Sequence, residues 1–214
     1  MSARPNLLLE SLRVPIFPLN TVLFPGGLLP LRVFEARYMD MTRECLKRNE
    51  PFGVCLIQQG SEVGAPAVPE GVGCLAKIQE CDMQQQGILN LKTRGSQRFR
   101  ILERQTNTQG LISADVELIA PDASVAVPEE FAACARLLEM VVLDQGKPIF
   151  AEPHAFDDAA WVGYRLTEIL PVPLLAKQKL LELTDSLGRL SILQRFLESR
   201  GLTAAKPGTD PSFP

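Results

Sequence analysis

One histidine in 214 residues, His154, removes most of the acid–base chemistry a protein runs near neutral pH. Any Cys–His or Ser–His nucleophile pair would have to use it, and its setting between Glu152-Pro153 and Ala155 reads as an exposed loop. The five cysteines, Cys45, Cys55, Cys74, Cys81 and Cys134, form an odd set with no Cys-x-x-Cys pair and sit among apolar neighbours. That pattern reads as reduced, mostly buried thiols, not as a disulfide framework or a zinc site. The phosphate-loop pattern is missing as well, because Gly146 and Lys147 are followed by Pro148 in place of the hydroxyl that would hold magnesium. The carboxylate pairs Glu129–Glu130 and Asp157–Asp158 fall at predicted helix starts, where capping and the helix dipole account for them. No catalytic residue, metal or cofactor is expected.

Charge imbalance is equally scarce. With 22 Lys and Arg against 25 Asp and Glu the formal charge is −3, so nothing global attracts a phosphate backbone or an anionic lipid surface. The leucine run Leu7 to Leu9 stops at Glu10, too short for a signal-peptide core or a membrane span. The expectation is a soluble cytoplasmic protein without a membrane or nucleic-acid partner. What the chain does have is core material: 46% of its residues are apolar, enough for one large domain or two small ones.

The densest local signal lies between Val14 and Tyr38. Pro18 and Pro30 lack an amide proton and belong at strand starts or edges, and Pro25-Gly26-Gly27 supplies the fixed and the permissive φ of a tight turn. The chain therefore doubles back near Pro25. Phe34, Tyr38, Met41 and Cys45 then fall at i, i+4, i+7 and i+11, which predicts an amphipathic helix over 35–48 with Arg37, Asp40, Glu44 and Lys47 facing elsewhere. Residues 52–57 are nearly all apolar and read as a strand buried on both faces. The segment from Gly60 to Gly73 holds four glycines and two prolines without periodicity, and reads as a mobile surface element or binding loop. Strand-like segments follow at 73–81, 88–94, 98–103 and 111–118.

Past Pro121 the period becomes helical. Pro128 suits a first helical position, Phe131, Ala135, Leu138 and Val142 mark a buried stripe, and Gly146 to Pro148 ends that helix. Asp157 or Asp158 caps a second helix that stops at Pro171, Pro173 starts a third, and Thr184 or Asp185 caps a fourth that ends at Gly201. The fold class read from this is α+β: six strands in a mixed, barrel-like sheet with one helix, then a four-helix bundle. The boundaries are an N-terminal tail 1–13, a β domain 14–120, a linker 121–127, a helical bundle 128–201 and a tail 202–214 expected to be disordered.

Two constellations stand out as binding candidates. Phe34, Glu35, Arg37 and Tyr38 sit beyond the Pro25 turn and would frame one wall of a groove with the Gly60 to Gly73 loop. Helix-start electrostatics, an ion pair and core packing also account for them. The second is the basic run Lys92, Arg94, Arg98, Arg100 and Arg104, in which Arg98 and Arg100 share one strand face while Phe99 and Ile101 take the other. Without an aromatic platform beside the charge it reads as a solvated face, partly paired with Glu80, Asp82 or Glu103.

These residues resemble the amino-terminal domain of Lon protease, and the stand-alone bacterial proteins built from that domain. The resemblance rests on Pro18-Leu-Asn-Thr-Val-Leu-Phe-Pro-Gly-Gly-Leu-Leu-Pro-Leu-Arg-Val-Phe-Glu-Ala-Arg-Tyr38, Phe52-Gly-Val54, Gly71-Val-Gly-Cys-Leu-Ala-Lys-Ile78 and Leu91-Lys-Thr-Arg-Gly-Ser-Gln-Arg-Phe-Arg-Ile101. In the helical half it rests on Leu170-Pro-Val-Pro-Leu-Leu-Ala-Lys-Gln-Lys-Leu-Leu-Glu182 with Arg189, Leu190 and Leu193. It implies a six-stranded PUA-like pseudo-barrel followed by a helical bundle, and recognition of unfolded or exposed polypeptide segments. The ATPase and Ser-Lys peptidase modules that follow in the full protease have no counterpart in this sequence, so the family supplies no catalytic residue to carry over. The expected function is a non-enzymatic protein- or peptide-binding module, an adaptor in protein quality control whose partner is a protease or chaperone. The alternatives are an RNA-binding PUA-like protein using the stretch from Lys92 to Arg104, and a small hydrolase using Cys45 or Cys74 with His154.

Overall fold

The computed structural model describes residues 12–144 and 149–202. The expected tail 1–13 up to residue 11, the helix stop at Gly146 to Pro148 and the expected tail from residue 203 lie outside the described residues. By its contacts the chain divides into two compact units. One comprises the described residues up to Pro121 together with Pro173–Glu182, the other Asp122–Val172 together with the described residues from Leu183.

The first unit is built on strand pairings that close a circuit. β1 (Leu12–Leu19) runs antiparallel to β7 (Ile112–Leu118), β7 to β6 (Ile88–Thr106), β6 to β5 (Val72–Gln85), and β5 to β3 (Phe52–Gln59). β3 then returns to β1 in parallel, with Phe17 opposite Val54. Between β1 and β3 the chain makes β2 (Leu28–Val33) and helix α1 (Ala36–Arg48), the long crossover that a parallel pair requires. A two-residue strand, β4 (Val68–Pro69), pairs with β3 inside the segment read as an aperiodic loop, so the described residues form seven strands in place of the six expected.

The turn at Pro25 forms as the sequence predicts. Gly27 N–H donates to Phe24 O at 3.0 Å, and Gly26 takes φ of 77°, the pattern of a turn with proline followed by glycine. Its tip docks on β6 through paired backbone bonds of 2.8 Å between Gly95 and Gly26 and Gly27. A Cβ on Gly95 would lie 2.1 Å from Phe24 O, so only glycine admits the turn there. β6 passes through this point unbroken, in place of the two strands expected at 88–94 and 98–103. Its first half pairs with β2, its second with β7, and the register slips around Gly95.

The unit's core gathers Phe17, Leu23, Tyr38, Met41, Cys45, Phe52, Val54 and Leu91 in one cluster, and Ile16, Leu75, Phe99, Ala114 and Val116 in a second. Four of the five cysteines are buried and all are free thiols; Cys81 is exposed. The buried run 52–56 confirms a strand covered on both faces.

The four expected helices do not form one group. Helix α4 (Leu174–Glu182) belongs to the strand unit, where Gln178 donates through Nε2 to Val72 O at 3.0 Å and Arg98 donates from β6 to Leu181 O at 2.8 Å. The breaks at Pro171 and Pro173 free this segment from the preceding helix, and its buried glutamine and leucines face strands.

The second unit holds a 3-10 turn at Glu129–Phe131, then α2 (Ala132–Asp144), α3 (Ala159–Ile169) and α5 (Ser186–Ser199). Asp158 and Asp185 cap α3 and α5, accepting from Trp161 N–H and Leu187 N–H. The segment expected as a linker, 121–127, is tied down: Ala159 N–H donates to Val125 O and Val127 N–H to Asp157 O, both at 2.8 Å. At the centre Arg189 is fully buried, donating to Asp122 Oδ2 at 2.8 Å and to Leu183 O, with its guanidinium 4.1 Å from the Tyr164 ring centroid. Tyr164 Oη donates to the same carboxylate oxygen at 2.9 Å.

Replacing Arg98 by methionine keeps the length of the side chain and removes the donor to α4. The expected loss is about 2 kcal/mol or more, the cost of a buried acceptor left without its charged donor, read as a lower urea midpoint for the strand unit.

Candidate functional site

A groove of about 290 Å³ opens where the crossover leaves the strand circuit. Its floor is Phe17 and Leu19 of β1 with Tyr38 of α1, one wall is Pro30 to Glu35, and the other is Glu62 and Val63. Both rims carry apolar side chains turned to solvent: Phe34 is 53% exposed and Val63 56%. Among the described strands β2 pairs only with β6, so its second edge faces outward. Pro30 stands in that edge without an amide donor, which blunts it against indiscriminate strand addition.

The helix start holds the groove's shape. Glu35 is the N-cap by backbone geometry, its carbonyl accepting from Tyr38 N–H at 3.0 Å and Met39 N–H at 2.9 Å, while its side chain makes no cap. That side chain accepts instead from Arg37 Nη2 at 2.9 Å. Arg37 also donates to Gly110 O at 3.2 Å and lies 4.7 Å from the Tyr38 ring centroid. Tyr38 stacks on Phe17 with ring centroids 4.0 Å apart, and burial raises its hydroxyl pKa, with Arg37 opposing and Glu35 reinforcing. On the other rim Asn20 N–H donates to Glu62 Oε1 at 2.6 Å, fastening the loop to the end of β1.

The sequence candidates part company here. Phe34, Glu35 and Tyr38 meet in the groove with the loop, as the groove reading requires. Phe34 is not part of the helix's buried stripe, because the helix begins at Ala36 and leaves it in the connection. Arg37 does not face solvent with Asp40 and Glu44; it is buried beneath the site and orients Glu35. Glu62, Val63 and the β2 edge were legible only as a loop and a strand, since nothing in residue type marks which loop position a fold turns toward a helix.

The basic run breaks up. Arg98 is 2% exposed and committed to α4, so it shares no solvated face with Arg100. The register against β5 is regular from Arg98 to Arg100, so alternation does put both on one side of β6; α4 covers that side at Arg98 and leaves Arg100 in solvent. Arg100 is exposed and 3.8 Å from Glu117, Lys92 pairs with Glu80 at 2.7 Å, and Arg104 donates to Pro69 O at 3.4 Å. Arg94 is half-buried, so the five cations do not share one exposed stripe.

The cysteines are poor nucleophiles. Burial pushes the Cys45 thiol up to about 11, with Glu50 adding to the effect, and pushes Cys55 still higher. His154 is half-buried and not exposed as its loop suggests: its ring packs against Phe156 and Trp161 at 5.5 and 5.7 Å, and Nε2 has no hydrogen-bond partner among the described residues.

The first unit is thus a closed strand circuit with a groove of mixed polarity at its crossover. The family model of the ATP-dependent protease La (LON) substrate-binding domain matches residues 13–199, and the chain belongs to that family. It is 35% identical to a Lon N-terminal domain protein from Xanthomonas campestris, whose crystal structure superposes with a TM-score of 0.74 over 86% of this chain and 98% of that one. The N-terminal domain of the Mycobacterium avium complex Lon protease, 16% identical with a TM-score of 0.60 over 87% of this chain and 98% of that one, shares the fold. Lon protease 2 of Herpetosiphon aurantiacus is 30% identical over 195 residues, 86% of this chain and 24% of that protein. Lon protease 1 of Bdellovibrio bacteriovorus is 27% identical over 209 residues, 88% and 26% respectively. The chain thus spans about a quarter of the length of these curated relatives.

Thiol titration checks the chemical reading. In the folded protein one thiol, Cys81, is expected to react promptly, and all five only after denaturation. A fast-labelling Cys45 or Cys74 would revive a nucleophile.

Proposed function

We propose that this chain is a non-enzymatic recognition module that holds an extended, apolar segment of an unfolded polypeptide in the groove between Phe34 and Val63. The observation that carries the reading is the groove itself: exposed apolar rims on two independent segments, an aromatic floor, and an outward strand edge beside it. Main-chain contacts along β2 would give affinity without demanding one sequence, and the rim side chains would select apolar residues. Membership of the Lon substrate-binding family supports the same reading. In cells the module would act in the cytoplasm as a quality-control adaptor, presenting the segment to a protease or chaperone, and its strand circuit would serve as a PUA-like pseudo-barrel scaffold. The RNA-binding alternative loses its support with Arg98 buried and Lys92 and Arg100 beside carboxylates.

The test is fluorescence anisotropy with a labelled, permanently unfolded polypeptide. Phe34→Ala combined with Val63→Ser should weaken binding about tenfold, the loss of one aromatic anchor and its opposing rim, with the thermal midpoint unchanged because both side chains are exposed. Arg100→Ala should leave binding as it was. Equal affinity for wild type and the groove variant, or no binding at micromolar concentration, overturns the proposal.

A further inference from the structure

Helix α2 is apolar on two opposite sides. Cys134 and Leu138 are buried within the helical unit. Ala133, Leu137, Met140 and Leu143 recur at helical spacing on the other side, along a groove of about 550 Å³ that Leu202 extends. Met140 is 60% exposed there and Leu143 83%. A surface helix ordinarily carries one apolar stripe, so a second one left in solvent calls for a covering of its own. Two opposite charges bracket the outer stripe, Arg136 on its N-terminal side and Asp144 in the last turn. Neither makes an ion pair or hydrogen bond with another described residue.

We propose that this face is a homodimer interface in which α2 packs antiparallel against α2 of a second copy, about a twofold axis beside Met140. A twofold contact pairs i with j and j with i. With the axis at Met140, Leu137 lies level with Leu143 of the second copy and Arg136 level with Asp144 of the second copy, and symmetry repeats both pairs. Opposite charges therefore meet twice, at the two ends of an apolar seam. Glu139 falls level with Val141 at the rim, so no like charges oppose. Parallel packing would set Arg136 beside Arg136 and Asp144 beside Asp144. That self-complementarity is what selects a second copy of this chain over an unrelated partner. A single-helix seam is smaller than a standard interface, so the association is expected to be weak and concentration-dependent.

Sedimentation velocity on the full chain over a concentration series reads the mass. The expected result is a concentration-dependent dimer whose dissociation constant rises at least ~10-fold on Met140→Glu. Arg136→Asp and Asp144→Arg should each weaken self-association, and mixing these two variants in equal amounts should restore a dimer. Variants that had merely misfolded would not recover in this way. A monomer at all concentrations up to about 0.5 mM, or a dimer unmoved by the three substitutions, overturns the proposal. So does a monomer whose α2 amides exchange faster once residues 203–214 are removed, which assigns the face to the chain's own C-terminal residues.

Discussion

The parallel pairing of β1 with β3 is the constraint on which the strand unit depends. Every other neighbour in the circuit is antiparallel, and β5, β6 and β7 follow one another through short connections, but a parallel partner demands that the chain cross back to the end at which it started. The crossover from Leu19 to Phe52 meets that demand with a proline-glycine turn, an edge strand and one helix. Those same three pieces make the groove. The site is therefore a by-product of closure: β2 is laid beside β6 because the turn docks on Gly95, and Phe34 is left in solvent because strand and helix are joined by only two residues.

Buried arginine is the second organising device, and both units use it. Arg98 carries its charge from β6 to the carbonyl end of α4, which draws a helix from late in the chain onto the strands. Arg189 gathers Asp122, Leu183 and Tyr164 around one guanidinium in the helical unit. The planar fork suits both tasks, because several acceptors can be satisfied at once without losing the charge to deprotonation. Removing either would strand acceptors that water does not reach, so these residues are structural even though their charge made one of them look like a ligand contact.

The two exposed apolar features of the protein have different characters. The groove is mixed, with carboxylates at its rims already held by Arg37 and Asn20, which suits a partner that changes from one encounter to the next. The α2 face is an exposed apolar stripe on one helix, with Arg136 and Asp144 four residues to either side of Met140. On the two proposals made above, one surface would take transient segments and the other would set how many grooves are presented together.

Local chemistry alone determined a good deal of this protein. The Pro25 turn, helix α1, the doubly buried strand at 52–56, the caps at Asp158 and Asp185, the reduced thiols and the Lon-like order of motifs were all legible, because each rests on propensity, periodicity or composition within a few residues. Tertiary structure decided the rest. Arg37 and Arg98 left the surface because partners distant in sequence, Gly110 O and Leu181 O, offered acceptors in the interior. The segment 60–73 acquired β4 because β3 had a free edge, and α4 joined the strands because Val72 O met Gln178 there. Alternation reports which side of a strand a residue takes, but only the tertiary structure says where that side is covered, and a helix laid over one end of it buries Arg98 while Arg100 stays exposed.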